Sequence, residues 1–151
     1  MKPDKLTAQQ IADAVRDTMF AGDRASQALG MAVEAMTPGS ATVRMTVRAD
    51  MLNSHRMCHG GVITTLADSA FAFACNSYNE LTVASSLAVD LVAPAHEGDV
   101  LTAQANETNR ARRMGVYDIT VTNQRGERVA MVRGRSYTFR GKPVVELPAC
   151  A

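Results

Sequence analysis

Five residues within one short span carry the chemistry that this chain can do: Asn53, His59, Gly60, Gly61 and Asp68. Asp68 is the only charged side chain between Gly60 and Asn79. Around it Val62, Leu66, Ala70, Phe73 and Ser77 recur at helical spacing, with Ile63, Ala67, Phe71 and Ala74 beside them. A helix that apolar almost all round belongs inside a core, where an ionised carboxylate is costly unless it is paired or hydrogen-bonded. Asp68 lies about 200° round the helix from Leu66, on a stripe with Thr64, Ala72 and Cys75. Two turns earlier stands the glycine pair. Each glycine costs roughly 1 kcal/mol relative to alanine inside a helix, but at a helix start it lets another group approach the backbone. The free N–H groups there, at the positive end of the dipole, favour an oxygen carrying negative charge. An oxyanion site and a carboxylate base or nucleophile are what acyl transfer requires.

The rest of the chain must position this stretch. Residues from about 6 to 21 approximate a helix, with Leu6, Ile11, Val15 and Met19 or Phe20 as its stripe. A short helical turn through Leu29 ends at Gly30. Residues 31–36 suit a strand, Thr37-Pro38-Gly39-Ser40 a turn, and Ala41, Val43, Met45 and Val47 alternate with polar residues as a strand with one wet face. After the central helix, residues 83–93 form a long strand with Leu87, Val89 and Leu91 on one face. A second strand runs from Val100 to about Arg112, with Leu101, Ala103 and Ala105 inward. Arg113-Met114-Gly115 reads as a turn, 116–122 as a strand, Gln124-Arg125-Gly126-Glu127 as a hairpin turn, and 128–139 as the last strand. Residues 141–151, with two prolines, read as a frayed tail. One long helix and one antiparallel sheet give a two-layer α+β domain in which the sheet curls round the helix. The chain divides into an N-terminal helical segment (1–24), the main domain (25–140) and the tail (141–151).

Composition narrows the function. The 151 residues suit one domain with a sizeable core. Sixteen basic against 15 acidic side chains leave a net charge of +1, which speaks against a nucleic-acid binder or a polybasic membrane segment. No apolar run reaches the ~20 residues of a membrane span, and the polar start does not read as a secretory signal. Cys58, Cys75 and Cys150 are an odd number without metal-ligand spacing, so a cytoplasmic protein with no metal site is expected.

The order of elements resembles the hotdog fold. The motif Asn53-x5-His59-Gly60-Gly61-x6-Asp68 resembles the PaaI-type thioesterases of phenylacetic acid degradation. So do Leu66 to Ala72, Gly98-Asp99-x-Leu101-x-Ala103 and Gly115-Val116-Tyr117-Asp118. The similarity covers roughly 25–140 and is closest from 50 to 137. It implies hydrolysis of acyl-coenzyme A thioesters, aryl-acetyl ones in the nearest relatives, with no cofactor beyond the coenzyme A of the substrate. It implies dimers joined edge to edge through their sheets, paired into tetramers, with the active site between two subunits. By motif match Asp68 would be the catalytic carboxylate and Gly60 would offer its N–H to the thioester oxygen. His59 and Asn53 would position the thioester or the attacking water. Some relatives use a serine on the strand after the helix, but here Ala84 takes that place and Ser85 and Ser86 follow it.

Plainer roles also fit these residues. Asp68 suits a cap on a buried loop amide, His59 a helix N-cap, Asn53 a turn and Gly61 helix–strand packing. Arg110, Arg112 and Arg113 are placed to meet coenzyme A phosphates, and equally suit a solvated strand end. Cys58 beside His59 lacks the third group that would orient a base against a thiol. Two other classes remain in view, an acyl-thioester hydratase or dehydratase and a non-catalytic acyl-thioester sensor. The first needs a different loop motif. The second needs a DNA-binding segment that the N-terminal ~30 residues are too few and too acidic to form.

Overall fold

A computed structural model describes residues 5–148. Helix α1 (Ala8–Gly22) starts at a capping box, with the Thr7 side chain accepting from the Gln10 N–H and the Gln10 side chain accepting from the Thr7 N–H. Its inner face buries Ala12 and Val15. A second short helix, α2 (Arg24–Ala28), is capped by Asp23. Strands β1 (Ala32–Thr37) and β2 (Ser40–Thr46) form a hairpin, and a 3-10 turn (Ala49–Met51) leads into the loop before α3 (Gly60–Asn76). Strands β3 (Thr82–Leu91), β4 (Val100–Ala111), β5 (Met114–Thr122) and β6 (Arg128–Thr138) follow. All pairings are antiparallel and the sheet order is β1-β2-β4-β5-β6-β3. The long helix thus carries the chain from β2, beside one edge, to β3 at the other.

Alternation along the strands decides which side faces the helix. Val43, Met45, Leu101, Ala103, Ala105, Tyr117, Ile119 and Val121 are buried, and so are Leu66, Ala67, Ala70, Phe71, Phe73 and Ala74 of α3. Each large apolar side chain so buried contributes about 1.5–3 kcal/mol. The small Ala103 and Ala105 let the helix lie close to the sheet. Gly134 does the same for one ring, since a Cβ there would stand 3.0 Å from Phe71.

The central helix ends at Asn76 because Asn76 closes it. Its amide donates to the Ala72 and Thr82 carbonyls and its Oδ1 accepts from the Thr82 N–H. The next strand therefore starts against the helix C-terminus and runs back beside it, ending at Leu91. Two expectations need correction. The β4–β5 turn is Arg112-Arg113, not Arg113-Met114-Gly115; Arg112 takes φ 56° and Gly115 pairs with Arg110 inside the strands. Residues 142–145 are not frayed. Asn79 accepts from the Val144 and Val145 N–H groups at 3.0 and 2.9 Å and donates to the Val145 carbonyl, while the Leu81 N–H donates to the Lys142 carbonyl. Residues 149–151 of the tail lie outside the described residues.

Candidate active site

The N-terminus of α3 is delivered by a loop that bonds to itself. Asn53 Oδ1 accepts from the N–H groups of His55 and Met57 at 2.9 and 3.2 Å. The Asn53 N–H donates to the Met57 carbonyl, and Leu52 bridges to Cys58. The loop is anchored where the Cys58 N–H donates to the Ala95 carbonyl and the His59 N–H to that of Met51. His59 is the N-cap, its Nδ1 accepting from the Gly61 N–H at 3.0 Å. In the neutral ring this leaves the proton on Nε2, so its outer edge is a donor. The plainer roles read from sequence for Asn53 and His59 are thus present, and each side chain keeps a donor to spare.

The Gly60 N–H has no acceptor among the described residues. It stands at the first position of α3, where no intrahelical partner exists. Leu91 explains the missing side chain, since a Cβ on Gly60 would lie 2.6 Å from Leu91 Cδ1. Gly60 and Asn53 line one cavity of about 390 Å³, with Met57, Leu91 and Pro94. Gly61 is exposed and its N–H is taken by His59.

Asp68 lies elsewhere. Eight residues along α3 place it about 12 Å from Gly60, and it opens into a separate cavity of about 330 Å³ between α1, α3, the start of β3 and the tail. No hydrogen bond reaches its carboxylate from the described residues. Burial pushes its proton affinity above the ordinary carboxylate range, and the charge of Asp23 adds to this. A carboxyl that holds its proton more tightly than usual makes a stronger base once ionised. Ala84 lines this cavity, whereas a β-bulge between Ala84 and Ser86 turns Ser85 to the Arg135 carbonyl at 3.1 Å. No serine hydroxyl takes the place of Ala84.

Other candidates fall outside both cavities. Arg110 stacks on Tyr78, 3.7 Å from the ring centroid, and Arg113 donates to the Tyr137 hydroxyl at 3.3 Å. With Arg112 at the turn they crowd one end of the sheet, and none of the three lines either cavity. Burial raises both described thiols, Cys75 to about 12. Among the described residues no three His, Cys, Asp or Glu side chains gather as a metal site would require, and no helix is long and apolar enough to cross a membrane. Sequence reasoning missed Met19 and Val144, which wall the Asp68 cavity, and Asp23. No local signal marks them, because each reaches the site from a distant part of the chain.

The family model of the thioesterase superfamily matches residues 55–130, half of the chain, taking in all of α3, strands β3 to β5 and the start of β6. The chain belongs to the thioesterase superfamily. It is 45% identical to the acyl-coenzyme A thioesterase PaaI of Escherichia coli over 82% of this chain and 88% of that relative. The structure of the Escherichia coli PaaI protein, from the phenylacetic acid degradation operon, superposes with a TM-score of 0.88 and 41% identity, covering 90% of this chain and 99% of that one. A variant of the phenylacetic acid degradation protein PaaI of Thermus thermophilus gives a TM-score of 0.75 at 38% identity, over 78% of this chain and 100% of that one. A Streptococcus mutans protein bound to acetyl coenzyme A gives 0.70 at 25% identity, over 72% and 88%. The chain has the hotdog fold expected from the element order, a six-stranded antiparallel sheet around one central helix.

Proposed function

We propose that this thioesterase hydrolyses acyl-coenzyme A thioesters, phenylacetyl- or ring-hydroxylated phenylacetyl-coenzyme A among them, at a site shared by two copies of the chain. One observation carries the reading. The Gly60 N–H and Asp68, both without a hydrogen-bond partner among the described residues, lie in separate cavities at opposite ends of one edge strand, Gly60 under Leu91 and Asp68 beside Val83 and Ala84. Strand β3 pairs with β6 on one side only, and its Val83 and Leu91 are 43% and 52% exposed. Exposed apolar edges template further pairing. Two copies joined antiparallel along β3 set the Val83 end of one beside the Leu91 end of the other. Asp68 of one copy then faces Gly60, His59 and Asn53 of the second, twice per dimer.

The chemistry follows. The thioester oxygen accepts from the Gly60 N–H, which stabilises negative charge as it develops there. Asp68 either takes a proton from the water that attacks the carbonyl carbon or attacks that carbon itself and is released by water. The carbon–sulfur bond breaks, sulfur leaves as the thiolate, and the products are a free acid and coenzyme A. The Nε2–H of His59 and the amide of Asn53 are donors that hold the thioester or the water. Gly61 lets this turn approach the substrate, and Arg110, Arg112 and Arg113 are the cations available to the coenzyme A phosphates. No cofactor is required, since water is the only co-reactant. The dimers pair into a tetramer, and the enzyme works in the cytoplasm.

Incubation with phenylacetyl-coenzyme A and a thiol reagent tests the reading. Stoichiometric thiol release that Asp68→Asn abolishes is expected. Binding without thiol release from any acyl-coenzyme A would overturn it in favour of a sensor.

A further inference from the structure

The Asp68 cavity has walls from outside the matched family region. Met19 enters from α1 and Val144 from the tail, while the family model spans 55–130. Phe71 forms the floor and is held in place, its ring 5.3 Å from that of Tyr117 and 3.0 Å from where a Gly134 Cβ would stand. The tail wall is latched, since Asn79 bonds both Val144 and Val145. The polar groups around the cavity are already engaged: the Asn76 amide bonds Ala72 and Thr82, and the Thr82 hydroxyl bonds the Glu80 carbonyl and the Thr138 hydroxyl. Asp68 alone is left to meet a ligand, and the remaining walls, Leu81, Val83 and Ala84, are apolar.

Resting on the function proposed above, we propose that Met19 and Val144 are specificity-determining residues, which together gauge the size of the acyl group. The thioester carbonyl lies at Asp68 and the acyl side chain runs between α1 and the tail. Because the floor cannot drop and the latch holds the tail, the two side chains set the room left for the acyl group. A volume of about 330 Å³ stands at the lower end of the ~300–1,000 Å³ usual for ligand pockets. That fits a compact acyl group such as a single aromatic ring.

Two measurements test this. The first compares kcat/KM for phenylacetyl- and naphthylacetyl-coenzyme A in the parent, Met19→Ala, Val144→Ala and Met19→Phe. The alanine variants are expected to raise the naphthyl-to-phenyl ratio by about tenfold or more and Met19→Phe to lower it, the scale on which a hydrophobic pocket discriminates. Ratios that stay within threefold across the series overturn the proposal. The second needs no turnover and covers the case of a variant that fails to fold. Para-azidophenylacetyl-coenzyme A is photolysed on Asp68→Asn and the labelled peptides are identified. Label in the peptides holding Met19 or Val144 supports the proposal, and label confined to other peptides overturns it. Failure here while phenylacetyl-coenzyme A is still hydrolysed leaves the proposed function standing, whereas absence of any hydrolysis by the parent removes that function independently.

Discussion

The two ends of the chemistry on α3 are built in opposite ways. At the N-terminus the loop is held by bonds within the chain: Asn53 closes the turn, Met51 and Ala95 anchor it, and His59 caps the helix. Among the described residues the Gly60 N–H, the Asn53 amide N–H groups and the His59 Nε2–H are left over as donors. In the middle of the helix the half-buried Asp68 has no bonded partner among the described residues, and both burial and the charge of Asp23 make its ionised form harder to hold. The first region is bonded in place by the chain itself. The second carries an unfavourable feature that folding alone does not require, and such features concentrate at functional sites. The contrast assigns a passive donor role to the loop and an active one to the acid.

The largest expected effect comes from removing the acid. Asp68→Asn should lower turnover by about 10²–10⁴-fold, the usual worth of a general base, with the fold intact because the amide is nearly isosteric. The same change should stabilise the protein at neutral pH. The folded state raises the carboxyl's proton affinity, so it binds the proton more tightly than the unfolded chain does. Asp68 therefore lowers stability as pH rises from the ordinary carboxylate value through the raised one. Thermal melts at neutral pH should place Asp68→Asn above the parent, with the gap shrinking in acid. A variant that melts lower at neutral pH would make Asp68 a structural group like those of the loop.

Removing the donor should cost about 10²–10³-fold in turnover, the scale for one oxyanion-hole hydrogen bond. Gly60→Pro deletes that N–H at a helix position where proline is tolerated. His59 already has the extended backbone, φ −60° and ψ 132°, that a following proline demands. Leu91→Ala should accompany it, since a Cβ at position 60 meets Leu91. Co-refolding this double variant with Asp68→Asn sharpens the comparison. A mixed dimer holds one site with both native groups and one with neither, so activity should return to a sizeable fraction of the parent. No recovery would mean that acid and donor serve the same site from one chain.

Much of this is legible in the sequence, for physical reasons. The helix α3 shows because its period is unbroken and charge is excluded from all but one position. Strands β2 and β5 show because one face is buried and the other wet, which forces alternation. The β4–β5 turn is misread because a glycine stands near it. That glycine is needed for space rather than for φ: a Cβ at Gly115 would lie 2.6 Å from Ser136 Oγ and 2.8 Å from the Tyr117 ring. The bound tail is not legible, because the Asn79 bonds span about 65 residues and leave no periodic trace. The loop half of the site reads well because its bonds are local. The acid's surroundings do not, because Met19, Asp23 and Val144 reach it through tertiary packing.

A smaller effect tests the electrostatics around the acid. Asp23 caps α2, its carboxylate accepting from the Ser26 N–H and hydroxyl at 3.0 and 2.6 Å, and the Ser26 hydroxyl meets that of Ser69, next to Asp68, at 3.0 Å. Asparagine caps a helix about as well as aspartate, so Asp23→Asn keeps the structure and removes the charge. The acid limb of kcat/KM against pH, which reports the free enzyme's base, should move to lower pH. Burial, the larger cause of the raised affinity, stays in place, so the limb should remain above the ordinary carboxylate position. An unmoved limb would mean that burial alone sets Asp68.

The smallest effect is expected at the thiols, and it guards the comparison from the loop side. Cys58 adjoins His59 in sequence, yet the His59 Nδ1 is occupied by the Gly61 N–H and the Cys58 thiol contacts the His59 carbonyl at 3.8 Å, not the ring. Burial raises the Cys58 thiol, the opposite of what a nucleophile needs. Cys75, buried near the C-terminal end of α3 and pushed up to about 12, carries almost no thiolate at neutral pH. Cys58→Ser should therefore leave turnover within about tenfold, less than ~1.4 kcal/mol of barrier. Cys75→Ser should act on stability more than on rate, because it puts a hydroxyl into a buried apolar site beside the Asn76 amide. Steady-state kinetics with a parallel thermal melt separates the two. A thousandfold loss in Cys58→Ser with an unchanged melt would turn the loop into the reactive end, and Asp68 into its support.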